Sequence, residues 1–213
     1  MTIRVFITDD HAVMRDGLKA LLTQAPDIEV VGEAGDGRDA IRDVLGLRPD
    51  VVLMDISMPS LNGIEAVRAL RKRGSTARLL MLTMHSTSEH VFRALDAGAD
   101  GYLLKESAGT EVVTAVRAVH AGRRYLSRGI LTSRLGSSPV RGRGSPADRL
   151  SMREREVLQL VAEGKTSNEI AAVVHLSPKT VETYRSRMMK KLGVNDVAGL
   201  VKFALQHGIT SLD

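Results

Sequence analysis

Several residues in the first half of the chain combine reactive side chains with a shared position: each closes a short apolar run. Asp9 and Asp10 follow Ile3 to Thr8, and Asp55 ends Val51-Val52-Leu53-Met54. Thr83 ends the run from Arg78, and Lys105 follows Gly101-Tyr102-Leu103-Leu104. Carboxylates brought together repel one another unless a cation neutralises them. With no cysteine in the chain, the donors are oxygens, which suit a hard cation. Mg²⁺ prefers one or two carboxylates plus waters and a phosphate. An ammonium and a hydroxyl beside such an ion suit the oxygens of a phosphoryl group. The chemistry that fits is in-line phosphoryl transfer to a carboxylate, giving an acyl phosphate. Taken singly, each residue has a plainer reading: Asp55 caps a strand end, Thr83 is a β-branched strand residue, Lys105 is a solvated lysine.

The elements needed to gather these residues are legible in the pattern. Apolar runs at Ile3 to Thr8, Ile28 to Ala34, Val51 to Asp55, Arg78 to Thr83 and Gly101 to Leu104 have the length and turn flanks of buried strands. Between them lie amphipathic segments marked by Leu18, Leu21 and Leu22, by Ile41, Val44 and Leu45, by Ile64, Val67 and Leu70, and by Val91 and Leu95. Val112, Val116 and Val119 stripe a last one, closed by Gly122. Repeated strand–helix alternation predicts a doubly wound α/β fold with a five-stranded parallel sheet covered on both faces. In such sheets ligands bind at the carboxyl ends of the strands, which is where Asp9, Asp10, Asp55, Thr83 and Lys105 fall.

Residues 1–122 therefore resemble the receiver domain of two-component response regulators. The match is carried by Asp9-Asp10, by Asp55-x-x-Met58-Pro59-x-x-Asn62-Gly63, by Thr83 and by Lys105, in that order. The resemblance implies a flavodoxin-like fold and a phosphoacceptor role for Asp55. It implies Mg²⁺ held by Asp10, Asp55 and the backbone carbonyl of Ser57, with Asp9 acting through water. Thr83 and Lys105 would hold the phosphoryl oxygens, and Tyr102 matches the aromatic switch that turns inward. His11 and His85 are read as solvated histidines, Met54 and Met58 as packing residues. The class usually has proline after the lysine, whereas this chain has Glu106. A cis bond without proline costs about 3 kcal/mol, which bears on the loop geometry and the acyl phosphate lifetime.

Charge divides the chain. Residues 1–122 are net −3, residues 123–148 net +5 and residues 149–213 net +3. An acidic front and a basic back suggest that the back faces a polyanion. Gly136 to Pro146 is rich in Gly, Ser, Pro and Arg, the composition of a solvated tether, so residues 123–147 are read as a flexible basic linker. No window approaches the ~20 apolar residues of a membrane span, and the amino terminus lacks a signal-peptide pattern. The expectation is a cytoplasmic protein without a membrane partner.

Residues 148–213 read as four helices. Ser151 with Glu154 three later is a capping-box pattern, and Pro178 suits a first helical position. Two helices joined by a tight turn, the second bearing polar and basic residues, describe a helix-turn-helix, with an ordinary four-helix bundle as the plainer alternative. The stretches Leu150-Ser-Met-Arg-Glu-Arg-Glu-Val-Leu, Ser167-Asn168-Glu169-Ile170-Ala171, Ser177-Pro178-Lys179-Thr180-Val181-Glu182 and Lys191-Leu192-Gly193-Val194 resemble the LuxR-type DNA-binding domain. Joined to a receiver, this resembles the NarL/FixJ class. The resemblance implies base contacts from Glu182, Thr183 and Ser186, and backbone contacts from Lys179, Thr180, Arg185, Arg187, Lys190 and Lys191. It implies a dimer surface at Val197, Leu200, Val201 and Ala204. Glu182 stands where some relatives carry a basic residue, and a carboxylate can accept from a cytosine amino group.

The expected function is a phosphorylation-activated, sequence-specific transcriptional regulator. It is not an enzyme acting on an external substrate, although the receiver assists its own phosphoryl transfer and dephosphorylation. Its expected partners are double-stranded DNA, a sensor histidine kinase and, when active, a second copy. One alternative is a DNA-binding regulator whose receiver is structural and phosphorylation-independent. Another, an Asp-nucleophile phosphatase of the dehalogenase type, predicts a second carboxylate two residues after the nucleophile, where Ser57 stands.

Overall fold

The structure, a computed structural model, describes residues 2–84, 88–133 and 146–210. His85 and most of the Gly136 to Pro146 stretch lie outside the described residues. The chain divides into two compact units, Met1–Ser138 and Pro139–Asp213.

In the first unit, strands β1 (Ile3–Thr8), β2 (Ile28–Ala34), β3 (Val51–Asp55), β4 (Arg78–Thr83) and β5 (Gly101–Leu104) alternate with α1 (Ala12–Thr23), α2 (Gly37–Leu47), α3 (Gly63–Lys72), α4 (Ser88–Asp96) and α5 (Ala108–His120). Every strand pair is parallel, in the order β2-β1-β3-β4-β5-β6. All five β3 residues are buried, because helices cover both faces. On one face Val51, Leu53, Leu80 and Leu82 pack with Leu18 and Leu22 of α1 and Val112, Val116 and Val119 of α5. The intervening Val52, Met54, Leu79 and Met81 are also fully buried, as are Val44, Ile64, Val67, Leu70 and Val91 from the helices between. The register sets Asp55 opposite Leu82 and Thr83 opposite Leu104, so the strand ends align along one edge.

The sheet has six strands rather than the five expected. The sixth, β6 (Tyr125–Leu126), pairs with β5 at Gly101 and Tyr102. Two residues following Arg123-Arg124 carry no periodicity, so composition places them in the linker. Tertiary contacts recruit them: Ser127 N donates to the Tyr102 carbonyl at 2.9 Å. The Tyr125 and Ser127 hydroxyls both donate to Glu111 Oε2 on α5, at 2.8 and 2.7 Å. Helix α6 (Arg128–Ser133) follows, with Ile130 fully buried. Residues 123–133 of the expected tether thus belong to the first unit.

The second unit holds α7 (Met152–Ala162), α8 (Ser167–Val174), α9 (Pro178–Leu192) and α10 (Val197–Gln206). Ser151 and Thr166 make capping boxes with Glu154 and Glu169. Ser177 caps α9 ahead of Pro178, and Asp196 caps α10. Gly193 ends α9 at φ 68°, a conformation open to glycine without strain. Val157, Leu158, Val161, Ile170, Val174, Val181 and Met188 form the core. Leu200 and Ala204 are fully buried in that same core, which corrects their expected place on an outer dimer surface. They lie four apart on one helical face, and that face closes this small domain. Val197 remains 43% exposed and Val201 half-buried.

The Glu111 clasp has a measurable consequence. Glu111→Ala leaves the fully buried Ser127 hydroxyl without its acceptor, so it should destabilise the first unit by about 1–3 kcal/mol. Urea denaturation followed by far-UV dichroism reads this, and a change within error would show that the clasp contributes nothing.

Candidate functional site

At the carboxyl edge of the sheet, Asp9 is fully buried and Asp55 is 2% exposed. Two buried carboxylates side by side demand a counter-charge, and Lys105 supplies it. Its ammonium lies 2.7 Å from Asp9 Oδ2 and 2.8 Å from Asp55 Oδ2, on a side chain 8% exposed. Burial works against the Lys105 charge, but the fields of Asp55 and Asp9 outweigh it and hold its pKa above the ordinary lysine value. For Asp55 burial dominates, the charge of Asp9 adds to it, and Lys105 offsets only part, so its pKa is pushed up to about 7.

The loops that hold this edge are built from close backbone contacts. A Cβ on Gly63 would lie 1.9 Å from the Asp55 carbonyl oxygen, and one on Gly37 would lie 2.3 Å from that of Leu61. Only glycine lets α3 start so near the end of β3, which explains the Asn62-Gly63 pair. Asn62 caps α3 by accepting from Glu65 N at 3.0 Å. Gly63 N donates to the Ile56 carbonyl at 3.0 Å, closing the loop that carries Ser57.

The residues present fit a hard cation. Donor atoms of Asp9, Asp10, His11 and Asp55 lie within 4.8 Å of one another. Asp9 Oδ2, Asp10 Oδ1 and Asp55 Oδ2 are buried and accept no well-aligned hydrogen bond, the situation a cation relieves. Of these atoms, Asp9 Oδ2 and Asp55 Oδ2 face the Lys105 ammonium. His11 is two-thirds exposed, as expected of a solvated histidine, yet its Nδ1 lies 2.8 Å from Asp10 Oδ1. The peptide after Lys105 is trans, since no described residue has a cis bond, and Glu106 is exposed in the 3-10 turn Lys105–Ser107.

Thr83 is 1% exposed at the end of β4. Tyr102 is fully buried, and its hydroxyl is hydrogen-bonded to that of Thr83. Burial pushes the Tyr102 phenol up to about 12, so it stays neutral. Sequence reasoning missed Arg15, whose Nη1 donates to the Asp9 carbonyl at 2.8 Å and reaches the Asp10 carbonyl at 3.4 Å. An arginine on the first turns of α1 was a signal, but many surface helices carry one. The Glu111 acceptor was also missed, because its partners lie 14 and 16 residues away.

In the second unit, Lys179, Glu182, Thr183, Ser186, Arg187, Lys190 and Lys191 are exposed on α9, and Thr180 is half-buried. Some of these groups are already engaged. Lys191 Nζ lies 2.7 Å from Glu154 Oε2, and Thr183 Oγ1 donates to the Lys179 carbonyl at 3.0 Å. Arg185 is only 16% exposed and donates to the Lys165 carbonyl at 3.2 Å. Helix α8, the turn through Leu176 and α9 form the two-helix unit expected from the pattern.

Residues 5–117 match the response regulator receiver domain family, and residues 148–204 match the bacterial regulatory proteins of the luxR family. The chain belongs to the response regulators. It is 39% identical over 209 residues to the transcriptional regulatory protein MctR of Rhizobium johnstonii, covering 98% of this chain and 96% of that protein. It is 37% identical over 212 residues to the response regulator UvrY of Escherichia coli K12, covering 99% and 97%. Among solved structures, the RcsB–DNA complex aligns with a TM-score of 0.59 at 28% identity, covering 95% of this chain and 98% of that one. This regulator is thus of the NarL/FixJ type, a two-component, phosphorylation-dependent regulator of transcription with a LuxR-type DNA-binding domain. Among the described residues no helix is long and apolar enough to cross a membrane.

The Asp55 environment predicts a pH dependence. The unfolded carboxyl ionises near 3.8, the folded one near 7. Between those values the folded regulator keeps a proton that the unfolded chain has lost, so stability falls as pH rises through this window. Asp55→Asn removes the effect. In metal-free buffer the variant should match the parent near pH 4 and exceed it by roughly 2–4 kcal/mol above pH 7. Denaturation at both pH values reads the gap, and a gap that does not widen with pH would refute the assignment.

Proposed function

We propose that this regulator accepts a phosphoryl group on Asp55 from a sensor histidine kinase. The observation that carries the reading is the Lys105 ammonium 2.8 Å from a buried Asp55 carboxylate. An Asp55 oxygen attacks phosphorus, and the bond to the donor's histidine nitrogen breaks. Lys105 balances the negative charge of the phosphoryl oxygens, and the Thr83 hydroxyl donates to one of them. Asp10, Asp55 and the Ser57 carbonyl would hold Mg²⁺, and Asp9 would act through water. When bound, that ion neutralises the carboxylates and spreads the charge that develops in transfer. The same site serves the later hydrolysis of the acyl phosphate, so the receiver assists its own phosphorylation and dephosphorylation without acting on an outside substrate.

Engaging Thr83 with a phosphoryl oxygen competes with its hydrogen bond to Tyr102. Tyr102 therefore acts as the switch, through a shift between existing conformations. The output is sequence-specific binding of double-stranded DNA, with α9 in the major groove. Glu182, Thr183 and Ser186 contact base edges. Lys179, Thr180, Arg185, Arg187, Lys190 and Lys191 contact the backbone. The active form is a homodimer, with Val197 and Val201 as the part of α10 available for pairing. The regulator works in the cytoplasm.

Incubation with a small acyl phosphate and Mg²⁺ should label the wild type near stoichiometrically and leave Asp55→Asn unlabelled. Retained labelling of the variant would refute the acceptor assignment. Gel-shift titration of labelled against unlabelled regulator should give tighter DNA binding with the phosphoryl group in place, and equal affinities would refute activation through phosphorylation.

A further inference from the structure

Glu182 is the fifth residue of α9, within the amino-terminal part of a recognition helix that meets base edges. A glutamate there is an unfavourable choice on two counts. Its carboxylate is repelled by DNA phosphates, and a mobile side chain loses rotamer freedom when it binds. The structure answers both. The Ser167 hydroxyl, on the first turn of α8, donates to Glu182 Oε1. Arg185, one turn further along α9, brings Nη1 to 3.4 Å of the same oxygen. Arg185 is itself tethered to the Lys165 carbonyl at 3.2 Å, so the guanidinium is fixed from the α7–α8 loop. Glu182 Oε2 accepts no hydrogen bond among the described residues, and the side chain is 58% exposed.

We propose that Ser167 is a specificity-determining positioning residue: with Arg185 it holds one carboxylate oxygen of Glu182 and leaves the other to accept from the exocyclic amino group of a cytosine in the major groove. The inference rests on the reading of Glu182 as a base contact. Ser167 touches no base; it acts through Glu182. The hydroxyl donates to Oε1, so the carboxylate arrives with one orientation and one free acceptor. Cytosine is the base whose major-groove edge offers a donor without a neighbouring acceptor on the same ring. The hydroxyl also links the two helices of the motif at the point where α9 is read, so its loss frees Glu182 while the buried core of the unit, which Ser167 does not enter, stays intact.

The test is selection of binding sites from a random duplex library by the full-length, phosphorylated regulator, followed by sequencing. Wild type, Ser167→Ala, Ser167→Thr and Glu182→Ala are compared, with thermal midpoints to verify folding. The expected wild-type motif contains a position that prefers cytosine, and Glu182→Ala flattens that position. Ser167→Ala weakens the preference there by roughly threefold to tenfold, leaving the other positions and the salt dependence unchanged. Ser167→Thr, which keeps the hydroxyl, restores it. A motif unchanged by Glu182→Ala would overturn the base-contact reading itself. A motif flattened by Glu182→Ala but unchanged by Ser167→Ala would overturn the positioning role alone. Equal weakening across all sequences by Ser167→Ala would show a merely structural hydroxyl and would likewise overturn the positioning role.

Discussion

The receiver unit depends on one electrostatic constraint: carboxylates buried together at the end of a sheet must be neutralised. Lys105 does this, with its ammonium between Asp9 and Asp55. The arrangement is unfavourable in itself, since charge is buried in a low-dielectric setting. It persists because surrounding elements leave little freedom to relax. Asp55 sits at the end of a strand whose residues are all buried, and the loop beyond it is clamped by backbone contacts at Gly63. A site held under such charge stress responds strongly to whatever changes its charge, which is what a phosphoryl switch requires.

Beside this edge Thr83 and Tyr102 are joined through their hydroxyls. Tyr102 also belongs to the strand that β6 extends, and its carbonyl accepts from Ser127 N. The first residues after α5 are therefore fastened to the same strand as Tyr102, and again to α5 through Glu111. In the second unit, α10 commits Leu200 and Ala204 to its own core, leaving a narrow apolar strip at Val197 and Val201.

Local pattern was enough for much of this. Buried strands show as apolar runs, helix starts as Ser151 with Glu154 or Ser177 with Pro178, and the reactive residues as breaks at the ends of those runs. Each is a signal within a few residues of sequence, where propensity and capping act. Receiver and LuxR-type motifs, read from single positions in order, placed the chain in the family to which it belongs.

What only the tertiary structure decided involves contacts between distant residues. Periodicity marks Leu200 and Ala204 as apolar but does not say whether the core or a partner covers them; the packing of α10 on α7 does. Two residues of β6 have no pattern of their own, and the sheet edge beside Gly101 and Tyr102 makes them a strand. Lys105 reaches Asp9 across nearly a hundred residues, and Ser167 reaches Glu182 from one helix of the motif to the next. The amino-acid sequence by itself determined which groups lie at strand ends and helix faces, because those preferences are local. Which of them touch, and so which charges are neutralised and which acceptors stay free, was settled by the fold, because charge and hydrogen-bond pairing depend on distance in space.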